Sequence, residues 1–155
     1  VDSDWAGESN YSHTKSRTGV IIFLNGLPIF WRSNKQPDTS LSSAQAEVYA
    51  LAEAARDVQL RLWVAEELLL QVVWPAVILV DNSSGIVFQQ SMNPTSKLKG
   101  VFTLRWNWGA ELQDKQRIKA VKVETKYNVA DILTKPLDCK TRSRLMQLVE
   151  NLREA

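Results

Sequence analysis

At 155 residues, the chain has the length of one domain and can bury a sizeable core. Charged residues make up 23% of it and hydrophobic residues 45%, a composition that excludes a disordered chain, and the net charge of +2 requires any nucleic-acid affinity to come from a local patch. The single cysteine, Cys139, excludes a disulfide framework and a thiolate zinc site and indicates a reducing compartment.

The first elements in chain order are predicted to be strands. Asp2 lies in an acidic extended segment, and because only one residue precedes it, we expect the first strand to be cut short at its start. Residues 18–24 and 27–32 are rich in β-branched and aromatic side chains, and Asn25 and Gly26 between them form a strong turn signal. Together they predict a β-hairpin.

A long helix and a buried strand are predicted in the middle of the chain. Ser42, followed three residues later by Gln45, matches a capping box, and the apolar stripe beyond it predicts a helix to about residue 70. An apolar strand then ends at Asp81. The most apolar stretch, residues 68–80, is too short to cross a bilayer, so no membrane partner is expected.

The remaining elements define the fold class. We predict helices at residues 84–90, 102–113, 128–135 and 141–152, and a strand at residues 118–124. This order predicts an α/β fold with a mixed five-stranded sheet, in which the first three strands are antiparallel and the later two are parallel. Residues 1–137 form the predicted domain, and residues 138–155 form a C-terminal helical extension.

Four acidic residues in different local settings are the strongest functional signal. Carboxylates rarely enter apolar surroundings unless they are paired or bind a cation. A cluster of oxygen ligands suits Mg²⁺ or Mn²⁺, and two such ions can clamp the attacking and leaving oxygens in phosphodiester cleavage. The sequence therefore predicts a metal-dependent nuclease, with no basic residue inserted among its acids. These acids are Asp2, Glu47, Asp81 and Asp131.

Each acid also has an ordinary structural explanation that the sequence leaves open. Asp2 can be a solvated strand-end acid, and Asp4, on the same face of the strand, competes with it for the metal role. Glu47 can be a helix-surface residue, and Asp81 can cap a following helix. Asp131 lies near a predicted helix start, where the helix dipole favours an acid.

Five motifs occur in the order found in one known family. They resemble the ribonuclease H domain of copia-type LTR-retrotransposon polyproteins, and the resemblance covers roughly residues 1–137. The motifs are VDSDWAG (1–7), TGVIIFLNGLPIFWRSNKQP (18–37), LSSAQAEVYALAEAARD (41–57), VILVDNSSGI (77–86) and NVADILTKPL (128–137).

The resemblance implies a ribonuclease H-like fold and cleavage of the RNA strand of RNA·DNA hybrids. It implies that Asp2, Glu47, Asp81 and Asp131 are catalytic and hold two Mg²⁺ ions, for which Mn²⁺ can substitute. The implied partner besides the hybrid is a reverse transcriptase domain of the same polyprotein. The implied location is intracellular, in cytoplasmic virus-like particles.

Polar and basic side chains near the acids are predicted substrate contacts. In the family's fold, polar residues beside the acids face the sugar and base edges of the hybrid. A basic run between residues 97 and 126 is predicted to bind phosphates with sequence-independent, salt-sensitive affinity. The predicted contacts to sugar and base edges are Ser43, Asn82 and Ser83. The predicted phosphate contacts are Lys97, Lys99 and Arg105.

Two other classes of function are also considered. An integrase-like DNA strand-transfer enzyme has a related fold, but it normally uses three acids, and the fourth acid here argues against it. A catalytically weak or inactive module, which supports reverse transcriptase or binds hybrids, is the second. It stays open because residues 125–128 contain no histidine, whereas cellular ribonucleases H usually carry one before the last carboxylate.

Overall fold

The computed structural model describes residues 1–5, 15–40, 42–81 and 101–152. The predicted helix at residues 84–90 lies outside the described residues. The elements are β1 (Asp2–Asp4), β2 (Arg17–Leu24), β3 (Leu27–Lys35), α1 (Ser43–Glu67), β4 (Ala76–Val80), α2 (Val101–Asp114), β5 (Ile118–Lys122), the 3₁₀ helices η1 (Thr125–Tyr127) and η2 (Val129–Leu133), and α3 (Cys139–Asn151). None of the helices in these residues is long and apolar enough to span a bilayer.

The strands form an antiparallel and a parallel sheet that adjoin each other. β1, β2 and β3 are antiparallel in that order, and β4 pairs with β5 in parallel. The backbone amine of Val1 donates a hydrogen bond to the carbonyl oxygen of Leu79 at 2.9 Å, which places β1 beside β4. The predicted α/β class, with three antiparallel and two parallel strands, is confirmed and is consistent with a ribonuclease H-like fold.

Local turn and cap chemistry explains two of these elements. Asn25 and Gly26 both have positive φ, 48° and 77°, as a two-residue hairpin turn of this composition requires. The Ser42 hydroxyl accepts a hydrogen bond from the backbone N–H of Gln45 at 3.2 Å and so caps α1. The predicted hairpin and the predicted start of the long helix are confirmed, while α1 ends at Glu67, slightly earlier than expected.

One face of α1 covers the sheets and forms the core with them. Leu51 and Ala55 of α1 are buried in one cluster with Val20 of β2, Ile78 of β4 and Ala120 of β5. Small residues in α1 allow the helix to lie close to the strands, and burial of the larger apolar side chains stabilises this packing. The core therefore fixes α1, β2 and β4 relative to one another.

An ionic network attaches α1 to the outer strand, β3. The Arg32 guanidinium contacts a carboxylate oxygen of Glu53 at 3.2 Å and one of Asp57 at 2.6 Å. The Arg61 guanidinium lies 3.6 Å from the centre of the Phe30 ring, in a cation–π contact. These contacts hold α1 over β3 beyond the edge of the apolar core.

η2 approaches β2 closely at Gly19. A Cβ atom at Gly19 would lie 2.7 Å from Cγ2 of Thr134 and 3.0 Å from both the carbonyl oxygen of Ala130 and Cβ of Leu133. The segment predicted as a helix from Asn128 is a 3₁₀ helix, and the Asn128 side chain accepts a hydrogen bond from the Ala130 N–H at 3.3 Å. The absence of a side chain at position 19 therefore sets the position of η2.

The C-terminal helix α3 packs against the domain through a single buried side chain. Asp138 caps it by accepting a hydrogen bond from the Thr141 N–H at 2.9 Å, so the helix begins slightly earlier than predicted. Leu145 is the buried residue of α3, and the helix lies against η2. The proposed division after residue 137 stays a prediction.

Candidate metal centre

Three of the four predicted acids converge where β1, β4 and η2 meet. Asp2 lies on β1, Asp81 directly follows β4, and Asp131 lies in η2. Each offers one carboxylate oxygen, and these oxygens all lie within 4.8 Å of one another. Asp2 and Asp131 are buried, whereas Asp81 is partly exposed. The cluster is therefore open to solvent on the Asp81 side.

Glu47 lies beside this cluster rather than within it. It lies on α1 and lines a small pocket together with Asp2, Ser3 and Asp81. The group of mutually close carboxylate oxygens in the described residues consists of the three aspartates. Glu47 is thus placed to approach a cation in the pocket from the side of α1, and its metal role stays a prediction.

The structure separates Asp2 from Asp4, which the sequence left as competitors. Asp2 is 5% exposed, pairs in register with Gly19 and lies in the carboxylate cluster. Asp4 is partly exposed and lines a groove at the end of the sheet. The arrangement favours Asp2 as the ligand from β1.

The prediction that no basic residue lies among the acids is wrong. Nζ of Lys135 contacts Oδ1 of Asp2 at 3.2 Å and Oδ1 of Asp131 at 3.0 Å. Because the three carboxylates repel one another, an ammonium group between two of them stabilises the cluster. Asp131 and Lys135 are four residues apart, a spacing at which helical side chains meet. This spacing is the feature of the sequence that indicates their contact.

Thr134 is a second residue that the sequence reasoning missed. Its hydroxyl donates a hydrogen bond to Oδ2 of Asp2. Its methyl carbon, Cγ2, is the atom nearest to the position that a Cβ atom at Gly19 would take. The two oxygens of Asp2 are thereby held by neighbouring residues of one segment, Thr134 and Lys135. Both belong to the motif NVADILTKPL, in which only the acid, Asp131, was predicted to be a site residue.

The charges of the cluster shift the ionisation of two of its members. Burial and the negative charge of Asp2 raise the pKa of Asp131 to about 6, and the Lys135 ammonium only partly opposes this shift. Burial lowers the pKa of Lys135, but Asp2 and Asp131 outweigh it, so that the net shift is upward. Positive charge in the cluster is therefore favoured, as a proton, an ammonium group or a metal ion.

Divalent metal binding is expected to strengthen as the pH rises through about 6, because the proton on Asp131 competes with the metal. Without metal, the raised pKa means that the folded protein binds this proton more tightly than the unfolded chain. The contribution of Asp131 to the free energy of unfolding therefore falls as the pH rises from about 4 through about 6. Calorimetric Mg²⁺ and Mn²⁺ titrations between pH 5 and 8 measure the first effect; an affinity independent of pH would contradict it.

Replacing Lys135 with Met is expected to destabilise the metal-free protein and to tighten Mg²⁺ binding. The variant keeps the length of the side chain but removes the charge that competes with the metal, an effect of roughly tenfold for one charge at this distance. Melting curves in EDTA and over a Mg²⁺ series measure both effects. Lys115→Met is the matched control, because Lys115 is exposed and pairs with Glu111 on the surface. Equal Mg²⁺-induced shifts in both variants would contradict the prediction.

The structure tests only part of the predicted substrate contacts. Ser43 is exposed at the first residue of α1, one turn before Glu47. The Arg105 guanidinium lies 4.0 Å from the centre of the Tyr49 ring and links α2 to α1. Its phosphate role stays a prediction. The other predicted contacts, Asn82, Ser83, Lys97 and Lys99, lie outside the described residues.

Several cations of the predicted basic run face acids. Arg117 contacts Glu66 at 2.8 Å, and Lys126 contacts Glu124 at 2.8 Å. Lys115 contacts a carboxylate oxygen of Glu111, one helical turn away. In the described part of the run, these three cations therefore have carboxylate partners with which a phosphate group would compete.

Segments of transposon polyproteins are similar to this chain. The retrovirus-related Pol polyprotein from transposon TNT 1-94 of Nicotiana tabacum is 30% identical over 136 residues, which are 87% of the chain and 10% of that protein. The Pol polyprotein from transposon RE2 of Arabidopsis thaliana is 31% identical over 88% of the chain and 9% of its own length. The relatives of this chain are retrotransposon Pol polyproteins.

The similarity extends to the Ty1-JR1 Gag-Pol polyprotein of Saccharomyces cerevisiae, which is 30% identical over 139 residues, 88% of the chain and 8% of the polyprotein. No protein-family profile matches the chain, and no solved structure matches it significantly. The chain spans about a tenth of the length of the Pol polyproteins that it matches. The relationship to retrotransposon polyproteins that the motifs predict is therefore confirmed.

Proposed function

We propose that the chain is a ribonuclease H domain that cleaves the RNA strand of RNA·DNA hybrids during reverse transcription of a retrotransposon. The observation that carries this proposal is the convergence of Asp2, Asp81 and Asp131 from three distant segments, with their oxygens within 4.8 Å. The similarity to Pol polyproteins supports it, because such a domain acts beside a reverse transcriptase. In this proposal, that reverse transcriptase is the partner, and cytoplasmic virus-like particles are the location.

The chemistry of the cluster fits Mg²⁺ or Mn²⁺. All its ligand atoms are carboxylate oxygens, which these hard cations prefer. Three ionised aspartates and the Lys135 ammonium leave two uncompensated negative charges, which one divalent cation balances. Asp2, Asp81 and Asp131 would hold the metal, with Glu47 at its α1 side. A second ion would be held by these same carboxylates in place of the Lys135 ammonium group.

The bound metal would supply an activated water and would stabilise negative charge on the phosphate. The residues of the chain position the metal ligands and neutralise part of their charge. Thr134 and Lys135 fix the two oxygens of Asp2, so that this ligand is oriented before any cation arrives. Asp81 is the most exposed of the three aspartates, and the substrate phosphate therefore approaches the cluster from its side. Ser43, Asn82 and Ser83 would contact the hybrid there.

A hybrid-cleavage assay tests the proposal. The expected result is Mg²⁺-dependent cutting of the RNA strand of an RNA·DNA hybrid, with duplex RNA and duplex DNA left intact. Cutting or joining of duplex DNA would instead indicate an integrase-like strand-transfer enzyme.

One observation favours a second candidate function, a module that binds hybrids without cutting them. Lys135 occupies part of the space between Asp2 and Asp131 and weakens the cluster as a metal site. Salt-sensitive hybrid binding without cleavage at any Mg²⁺ or Mn²⁺ concentration would identify this function. Cleavage that is restored by Lys135→Met would show that the ammonium group alone suppresses it.

A further inference from the structure

A basic groove of about 460 Å³ lies beside the aspartate cluster. Four cationic side chains and one acid line it, together with Ser33 and part of the segment after η2. The apolar side chains of Ile132 and Pro136 complete its wall. The charged residues of this groove, which we call the β-end groove, are Asp4, Lys15, Arg17, Lys35 and Lys135.

Strand pairing brings the charged residues of the β-end groove together. Arg17 begins β2 and pairs in register both with Asp4 at the end of β1 and with Lys35 at the end of β3. β4 adjoins β1, and Asp81 follows the end of β4. The β-end groove and the aspartate cluster are therefore adjacent through β1, which carries both Asp4 and Asp2.

Two cations of the groove donate hydrogen bonds to neutral groups. Nζ of Lys15 donates to the carbonyl oxygen of Pro37 at 2.7 Å, and Nη1 of Arg17 donates to the hydroxyl of Ser33 at 3.1 Å. Both acceptors are neutral. In contrast, Arg117 and Lys126 of the predicted basic run each face a glutamate. The β-end groove thus places three further cations, Lys15, Arg17 and Lys35, with one acid, Asp4, beside the cluster that Lys135 contacts.

We propose that the β-end groove binds the phosphodiester backbone of the nucleic-acid substrate and guides it to the three aspartates. This inference rests on the proposed function and specifies which surface holds the substrate. Lys135 joins the two sites, since it lines the groove and contacts both Asp2 and Asp131. The cations neutralise phosphates, and the apolar wall accommodates the sugars. Because only backbone groups are contacted, binding is independent of sequence and sensitive to salt.

The test compares two double variants that remove the same charge from different surfaces. Lys15→Ala/Arg17→Ala changes the β-end groove, and Lys119→Ala/Lys122→Ala changes exposed lysines of β5 in the predicted basic run. Binding of a labelled RNA·DNA hybrid is measured in EDTA, so that no cleavage occurs, over a series of salt concentrations. Melting curves verify that both variants are folded.

The groove variant is expected to bind the hybrid at least about tenfold more weakly at low salt. The slope of log affinity against log salt concentration should become shallower by about 2, since each lost phosphate contact removes about 1. The β5 variant should keep the parent slope. An unchanged slope in the groove variant, or a larger change in the β5 variant, would overturn the proposal. If the double variant does not fold, Lys15→Ala alone should change the slope by about 1.

The binding assay separates this proposal from the proposed function. A parent protein that binds the hybrid through the groove but never cleaves it would contradict the proposed nuclease activity and support the proposed role of the groove. A parent protein that cleaves the hybrid while the groove variant binds it normally would contradict the groove alone. A parent protein that binds no hybrid in EDTA at low salt would also overturn the proposal that the groove binds the substrate.

Discussion

Replacing Asp81 with Asn is expected to abolish Mg²⁺-dependent hybrid cleavage and to leave hybrid binding nearly intact. Asn has almost the same shape as Asp and lacks the negative charge that holds the metal. A bound metal contributes several kcal/mol to the stabilisation of the transition state. Its loss corresponds to a decrease of roughly a thousandfold in rate. Because Asp81 is partly exposed, the substitution should cost little stability.

Asp114→Asn is the control for this experiment, because Asp114 is an exposed residue at the end of α2. Single-turnover cleavage rates of parent and both variants, together with hybrid affinities in EDTA, separate chemistry from binding. Cleavage by Asp81→Asn within a few-fold of the parent rate would contradict the catalytic role of Asp81. A large loss of hybrid affinity would instead show that Asp81 acts mainly in substrate binding.

Replacing Gly19 with Ala is expected to destabilise the protein and to weaken metal binding together. The new Cβ would lie 2.7 Å from Cγ2 of Thr134, so η2 must move away from β2. Overpacking of this kind typically costs about 1–3 kcal/mol. Because η2 carries Asp131 and leads into Thr134 and Lys135, the same movement separates these residues from Asp2. Urea unfolding and Mg²⁺ titration measure the two losses.

A double variant tests whether the clash is the cause. Thr134→Ser removes the methyl group that the new Cβ would meet and keeps the hydroxyl that donates to Asp2. Gly19→Ala/Thr134→Ser should therefore recover part of the stability and of the Mg²⁺ affinity that Gly19→Ala loses. Recovery should be incomplete, since the carbonyl oxygen of Ala130 and Cβ of Leu133 lie 3.0 Å from the same position. Strict additivity of the two substitutions would exclude the proposed clash.

The elements with local signals are predictable from the sequence. Asn25 and Gly26 specify a turn by their own conformational preferences, and Ser42 specifies a helix start by its own hydrogen bond. Neither requires knowledge of distant residues. The segment after Asn128 was predicted as a helix but is a 3₁₀ helix, because its length and geometry depend on tertiary packing against Gly19.

The composition of the site was only partly predictable for the same reason. A carboxylate at the end of an apolar strand, such as Asp81, is visible in the sequence because it breaks the hydrophobic pattern. Lys135 does not break any pattern, and although its spacing from Asp131 indicates one contact, its contact with Asp2 on the first strand depends on the tertiary fold. The contact of Arg105 with the Tyr49 ring likewise joins distant segments and has no signal in the sequence, while the predicted phosphate role of Arg105 stays a prediction.

The hydrogen bond from Thr134 to Asp2 joins residues that are 132 positions apart in the chain. A growing polypeptide therefore cannot assemble the carboxylate cluster until nearly all of residues 1–137 have been synthesised and η2 has docked on β2. A cation bound by all three aspartates would then hold the earliest and latest segments together, and its stabilisation would increase with the logarithm of its free concentration. Resistance of the folded domain to proteases should accordingly increase with added Mg²⁺, whereas a nascent chain that ends before η2 should gain no such protection.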